Sequence, residues 1–448
     1  MAHTSPTSAH QQHLSPPFVW LPVQPPTAPP VATKEEAPST QKKTEPSFEV
    51  EKIPETSKIP KLSSFERKAF KEFILLVQEA LENHEFSATR SIPKLTVESS
   101  CEKVSIWGVP LLEDDRTDAI LLKFLKAKNF NVGESFTMLK NTIRWRREFD
   151  IDGLMEQTDQ GDDLQKVVYV HGHDRDGHPV CYNMYGEFQN KQLYMNTFAD
   201  EEKRKNFVRR IIQMLERNIR KLDFSARGVS TLLIVVDLKN SPGPGKKELW
   251  IACDQLHQLL QENYPEIVEK QVFINVPTWY LAFNAIIRPF LNENTKSKFI
   301  FAGPSKAADT LFKYISPENL PIQYGGLNGR YPHIRNPEFT ADDVATEIII
   351  KPLTQQTVEI FLHQGCIISW ELRVLDWGVS YSATFLPGAK HPYTIILDKK
   401  KKMACVDEEA VANKFKAGEP GKIVLTIDNP TSKRKRLIYR FKVKPVQD

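Results

Sequence analysis

Residues 171–178, HGHDRDGH, bring together five side chains able to hold a metal or move a proton: His171, His173, Asp174, Asp176 and His178. If Asp176-Gly177 is set at the fifth and sixth positions of a calcium loop, Gly172 falls at the first and Asn183 at the twelfth. The carboxylates such a loop requires are then missing. The segment reads as a polar hairpin tip, and no metal site is assigned. SPGPGKKELW imitates a phosphate loop, but it lacks the four-residue spacer before Gly-Lys, so it reads as a turn into a helix. No GxSxG, Walker, GxGxxG or HExxH pattern occurs. The expectation is a protein that is not an enzyme, with no catalytic residue and no cofactor.

The sharper signal is TWYLAFNAIIRPFL, residues 278–291. Thr278 can cap a helix there, and Trp279, Tyr280, Phe283, Ile286, Ile287 and Phe290 spread apolar groups round nearly its whole circumference. Such a helix is either buried on all sides or faces something nonpolar that is not protein. Arg288 sits where Pro289 ends it, and two explanations stand. The guanidinium is solvated near the negative helix terminus, or it pairs with an anionic head group beside an oily cavity. Two basic runs, Lys399-Lys400-Lys401-Lys402 and Lys433-Arg434-Lys435-Arg436, lie between expected strands and read as loops. Near an anionic bilayer each such cation contributes about 1 kcal/mol, which makes both runs candidates for membrane docking.

The elements that would position these groups follow from periodicity. The 448 residues suggest two or three domains, and 40% hydrophobic with 26% charged residues is ordinary for a globular protein. A formal net charge of +4 gives no argument for nucleic acid. Five scattered cysteines without CxxC spacing fit a reducing compartment, and the expected location is cytoplasmic with peripheral membrane association. No apolar run reaches the roughly 18 residues of a membrane span. Residues 1–60 form a Pro-rich leader expected to be disordered, and 61–103 an amphipathic helix and connector. A helical block, 104–155, precedes strands alternating with helices over 160–335, the pattern of a largely parallel α/β layer. STLLIVVDL within it has the shape of a strand covered on both faces. Residues 340–448 read as a separate all-β sandwich.

IWGVPLL, LLKFLKAKNFNVGESFTMLKNTIRWRREF, CYNMYGEF, NYPE, FINVP, RPFLNENTKSKF, FAGPSKAADTLFKYI and ENLPIQYGGL together resemble a CRAL-TRIO lipid-binding module with its helical preface. WELRVLDWGVSYSATFLP and KAGEPGKIVLTIDNPTSKRKRLIYRFK resemble a GOLD domain, and the combination is similar to the plant patellins. The resemblance implies a sheet flooring a hydrophobic pocket, a mobile helix gating it, a phospholipid ligand of the phosphoinositide class, and work at membranes in vesicle traffic and cell division. By that match residues 278–291 are the gate, Leu232 and Ile234 line the pocket, and Arg288 and Lys128 are head-group candidates. Phosphatidylinositol-binding relatives carry hydroxyl side chains where this chain has Leu232 and Ile234. A carrier of another small nonpolar ligand is therefore the second expectation. A third is an adaptor that binds proteins through its GOLD domain or its Pro-rich leader.

Overall fold

A computed structural model describes residues 62–86, 104–158, 163–243, 245–278, 297–329, 336–375, 378–388, 393–403 and 410–445. Helix α1 (Ser64–Glu82) starts at a reciprocal cap. The Ser63 hydroxyl accepts from the Glu66 amide at 3.2 Å, and the Glu66 carboxylate accepts from the Ser63 amide at 2.8 Å. Phe70, Phe73, Val77 and Ala80 form its buried stripe, whereas Phe65, which continues the same spacing, is 65% exposed in the first turn. After the two-residue strands β1 (Ser105–Ile106) and β2 (Val109–Pro110), helices α2 (Thr117–Ala127), α3 (Val132–Glu148) and α4 (Ile151–Glu156) join α1 in one core. Trp107 lies at its centre, stacked on Phe224 at 5.7 Å.

The α/β layer comprises β3 (Val168–His173), β4 (Pro179–Met184), α5 (Lys191–Phe198), α6 (Glu201–Ile219), β5 (Leu232–Asp237), α7 (Lys247–Asn263), β6 (Val268–Ile274), β7 (Phe299–Phe301) and α8 (Ala307–Tyr314). The strands lie in chain order, β3-β4-β5-β6-β7, with an antiparallel first pair and parallel pairing thereafter. Every residue of β5 is buried, as a strand covered on both faces requires. Leu232, Ile234 and Val236 face α6 and α7; Leu233 and Val235 face α8 and the C-terminal domain. The sheet is thus the common wall of two cores.

That C-terminal domain is a sandwich of two four-stranded antiparallel sheets. One holds β8 (Thr346–Ile350), β10 (Cys366–Leu375), β13 (Val411–Ala417) and β15 (Lys435–Pro445). The other holds β9 (Thr354–Leu362), β11 (Ser380–Pro387), β12 (Ile395–Lys402) and β14 (Gly421–Asn429). Trp370 and Tyr381 fill its interior, the indole donating to the phenol oxygen at 3.1 Å.

The two units share apolar packing. Leu375 and Ile438 of the sandwich join Leu311, Phe312, Tyr324 and Leu327 in one cluster. The turn IQYGGL fits beneath them because of its glycines. A Cβ on Gly326 would lie 2.0 Å from the Leu320 carbonyl oxygen, and one on Gly325 (φ +96°) would lie 2.8 Å from Leu375. Arg373 donates to the Ile322 and Gly326 carbonyls at 2.8 and 3.2 Å, and Arg440 pairs with buried Glu371 at 2.6 Å.

One expectation is corrected. Lys399 to Lys402 do not form a loop; they end strand β12, and Lys435 and Arg436 begin β15. β12 is the edge of its sheet and faces solvent, so the hydrophobic alternation that marks a strand is absent there. A row of lysines on an open edge also discourages pairing with another chain.

Candidate functional site

Between the β5 face and helices α6 and α7 lies a cavity of about 70 Å³. Ile234 and Val236 form its floor, Ile211, Met214 and Leu215 of α6 one wall, and Cys253, Leu256, His257 and Leu260 of α7 another. The spacing on α7 is helical, so these four side chains share a face. Cys181, Asn183, Tyr185 and Gln271 complete the lining.

Every group in this lining is neutral. Burial pushes the thiols of Cys181 and Cys253 up to about 12 and holds the His257 imidazole down at about 4. Cys253 and His257 are one helical turn apart on α7, and burial works against a thiolate–imidazolium pair on both members. The Nδ1 atom of His257 is buried with no hydrogen-bond partner among the described residues. It is a polar atom facing apolar space, available to a donor on a bound molecule.

Of the residues singled out from the sequence, Ile234 lines this cavity. Leu232 is on the same face of β5, 1% exposed, and packs in the core short of the cavity. Lys128 is half-buried at the C-terminal end of α2, away from the cavity lining. Trp279, Tyr280, Phe283, Ile286, Ile287, Arg288 and Phe290 lie outside the described residues. On β7, Phe301 stacks on Phe273 of β6 at 4.8 Å.

At the tip of the β3–β4 hairpin, ligand atoms of Asp174, Asp176 and His178 lie within 4.8 Å of one another. The Asp174 carboxylate is engaged by the turn itself, accepting from the amides of Asp176 (3.0 Å) and His178 (2.8 Å) and meeting the His178 ring at 2.9 Å. Arg175 secures the tip to α8, its amide and guanidinium donating to the Tyr314 and Phe312 carbonyls. The constellation builds a turn.

The basic runs, separate in sequence, come to one end of the sandwich. Ser380 at the start of β11 pairs with Lys402 on one side and Asp428 on the other, and the chain leaves β14 there for the turn carrying Lys433 and Arg434. Lys400 bonds Asp428 at 2.8 Å and Lys401 approaches Asp398 at 3.4 Å. Lys435 is buried, and Arg436 is held by Asp309 and Glu347. Lys399, Lys402, Lys433 and Arg434 are exposed and make no ion pair among the described residues. Sequence reasoning missed the cavity contributions of His257 and the two cysteines; the four-residue step from Cys253 to His257 beside a β-strand pattern was the available signal.

A covered parallel sheet with an apolar cavity under two helices, joined to an antiparallel sandwich, defines a CRAL-TRIO module followed by a GOLD domain. Family models match accordingly: the CRAL/TRIO N-terminal domain over residues 77–141, the CRAL/TRIO domain over 164–326, and the Patellin-1-like C-terminal GOLD domain over 351–435. Patellin-3 of Arabidopsis thaliana is 57% identical over 88% of this chain and 77% of its own length. Patellin-6 of the same plant is 40% identical over 87% of this chain and 94% of its own. Patellin-5 is 54% identical, and the chain spans 56% of its length. The chain belongs to the patellin family.

Proposed function

We propose that this protein is a non-enzymatic, peripheral lipid-binding and transfer protein that works at anionic membranes in membrane trafficking. It takes a phospholipid of the phosphoinositide class between β5 and helices α6 and α7, with residues 278–291 as the gate. The observation that carries this reading is the cavity over Ile234 and Val236, walled by apolar side chains and neutral polar groups. At about 70 Å³ it has room for on the order of two water molecules, whereas ligand pockets run to about 300–1,000 Å³. Loading therefore requires the walls to part. Each acyl methylene buried contributes about 0.8 kcal/mol, so a two-chain lipid does not escape through water at a useful rate. Opening must then happen against a bilayer, and the exposed cations at the sandwich end supply the contact. No covalent step is needed, and the neutral thiols and imidazole offer none.

The test is transfer of fluorescent phosphatidylinositol between donor and acceptor vesicles. Wild-type protein should carry it, and Phe283→Asp should not, with the fold retained by circular dichroism. Equal transfer by the two proteins would overturn the gate. A second reading, a carrier of a smaller nonpolar ligand, is favoured by Leu232 and Ile234, which place hydrocarbon on the β5 face.

A further inference from the structure

A second space lies at the carboxyl end of the sheet, between the α/β layer and the sandwich. It is an open cleft of about 2,200 Å³ whose lining includes Met184, Asp237 and Asn275, at the carboxyl ends of β4, β5 and β6. In open α/β sheets that end is where ligands are received. Among the described residues, nine basic side chains line it against three acidic ones. The excess exceeds the formal net charge of the entire chain, +4.

The acids are already engaged. Asp237 accepts from the Tyr324 hydroxyl at 3.0 Å and from Asn275 at 2.7 Å, and Asp309 and Glu347 both hold Arg436. Arg436 also lies over the Phe312 ring at 4.8 Å, so this one side chain ties the sandwich to α8 and sets the separation of the two walls. Six cations remain exposed and without an ion pair among the described residues: Lys239, Lys306, Lys313, Lys351, Lys433 and Arg434. They come from both walls and converge on one space, an arrangement that like-charge repulsion opposes unless an anion enters. The same wall presents the start of α8, where no side chain caps the helix or the Pro304–Lys306 turn before it. The positive end of α8 therefore belongs to this wall.

We propose that this interdomain cleft binds a compact, multiply phosphorylated anion of the inositol-polyphosphate type, with Lys239, Lys306 and Lys313 on one wall and Lys351, Lys433 and Arg434 on the other. Lysines at several azimuths suit phosphates distributed round a ring, each acting as a point charge. The proposal shares with the function above its preference for phosphorylated anions, but it needs neither the acyl cavity nor the gate. Shared chemistry leaves two sources, a lipid head group or a soluble polyphosphate.

The experiment titrates the full chain with inositol hexakisphosphate near 0.15 M salt. In parallel it is sedimented with vesicles containing phosphatidylinositol bisphosphate, and with phosphatidylserine vesicles matched for charge. Lys239→Ala/Lys306→Ala/Lys313→Ala removes one wall's cations and touches no core position. The expected result is at least tenfold weaker binding in the triple variant. Loss in the soluble arm assigns a free ligand; loss confined to the bisphosphate vesicles assigns a head group. No binding in either arm, unchanged binding in the variant, or equal affinity for phosphatidylserine vesicles would each overturn the proposal. Vesicle-to-vesicle transfer by the same variant separates the two claims, since it should persist when cleft binding is lost.

Discussion

Arg146 of α3 reaches Glu216 of α6 through two hydrogen bonds, 2.5 and 3.0 Å long, with side chains 8% and 0% exposed. The Tyr264 hydroxyl, just past α7, donates to the same carboxylate at 2.7 Å. This network joins the helical preface to both helices that wall the cavity. Arg146→Met would leave the Glu216 carboxyl buried without its main partner, with Tyr264 and the more distant Arg220 guanidinium (3.6 Å) as its remaining contacts. Breaking a buried pair from one side costs about 3–5 kcal/mol. At about 1.4 kcal/mol per decade, amide exchange in α3 and α6 should accelerate by roughly two to four decades. Removing both charges, as in Arg146→Met/Glu216→Leu, takes away the uncompensated carboxylate and should recover most of that loss. Hydrogen exchange of the purified chain measures all three proteins. Single and double variants exchanging at equal rates, or a single variant indistinguishable from wild type, would refute this account of the network.

Lys123 is buried with its ammonium on the Glu266 carbonyl at 2.9 Å, and burial lowers it to about 7 from an ordinary 10.5. Between those values the unfolded chain holds the proton and the folded one releases it, so stability should rise with pH from about 7 toward 10.5. Lys123→Met should flatten that rise in urea midpoints measured across the range; parallel curves would contradict the assignment. Gly326→Ala puts a methyl group against the Leu320 carbonyl and should loosen the seat of the sandwich by about 2 kcal/mol or more, seen as faster proteolysis around residue 336. Unaltered cleavage would mean the turn does not fix the two domains. Lys433→Ala/Arg434→Ala removes two exposed charges worth about 1 kcal/mol each at a membrane. Binding to anionic vesicles should fall roughly 30-fold, and more at low salt; unchanged sedimentation would remove this surface from membrane docking.

Much of the architecture is legible in the chain. STLLIVVDL declares a doubly covered strand because both faces of β5 are buried, and the short alternating runs after residue 340 declare a sandwich because one face of each strand meets a core. The lysine end of β12 is hidden for the converse reason. It buries neither face, so its four lysines carry no period. Phe65 is exposed because helical spacing marks a stripe, not where the neighbouring core stops. The interdomain cleft is assembled from Arg175 to Arg436 through separate turns, and no local window of sequence contains it. His257 drew no notice because its environment is made by α6 and the sheet, not by its own helix.

The central claim is that the space over Ile234 opens to receive hydrocarbon. Its most direct measurement is mass spectrometry of organic extracts from purified wild-type protein and from Ile234→Asp, which sets a charge on the cavity floor. The account predicts near-stoichiometric phospholipid with the first and little with the second while α6 and α7 remain protected from exchange. Wild-type protein that carries no lipid even after incubation with vesicles, or an Ile234→Asp protein loaded equally, would contradict it.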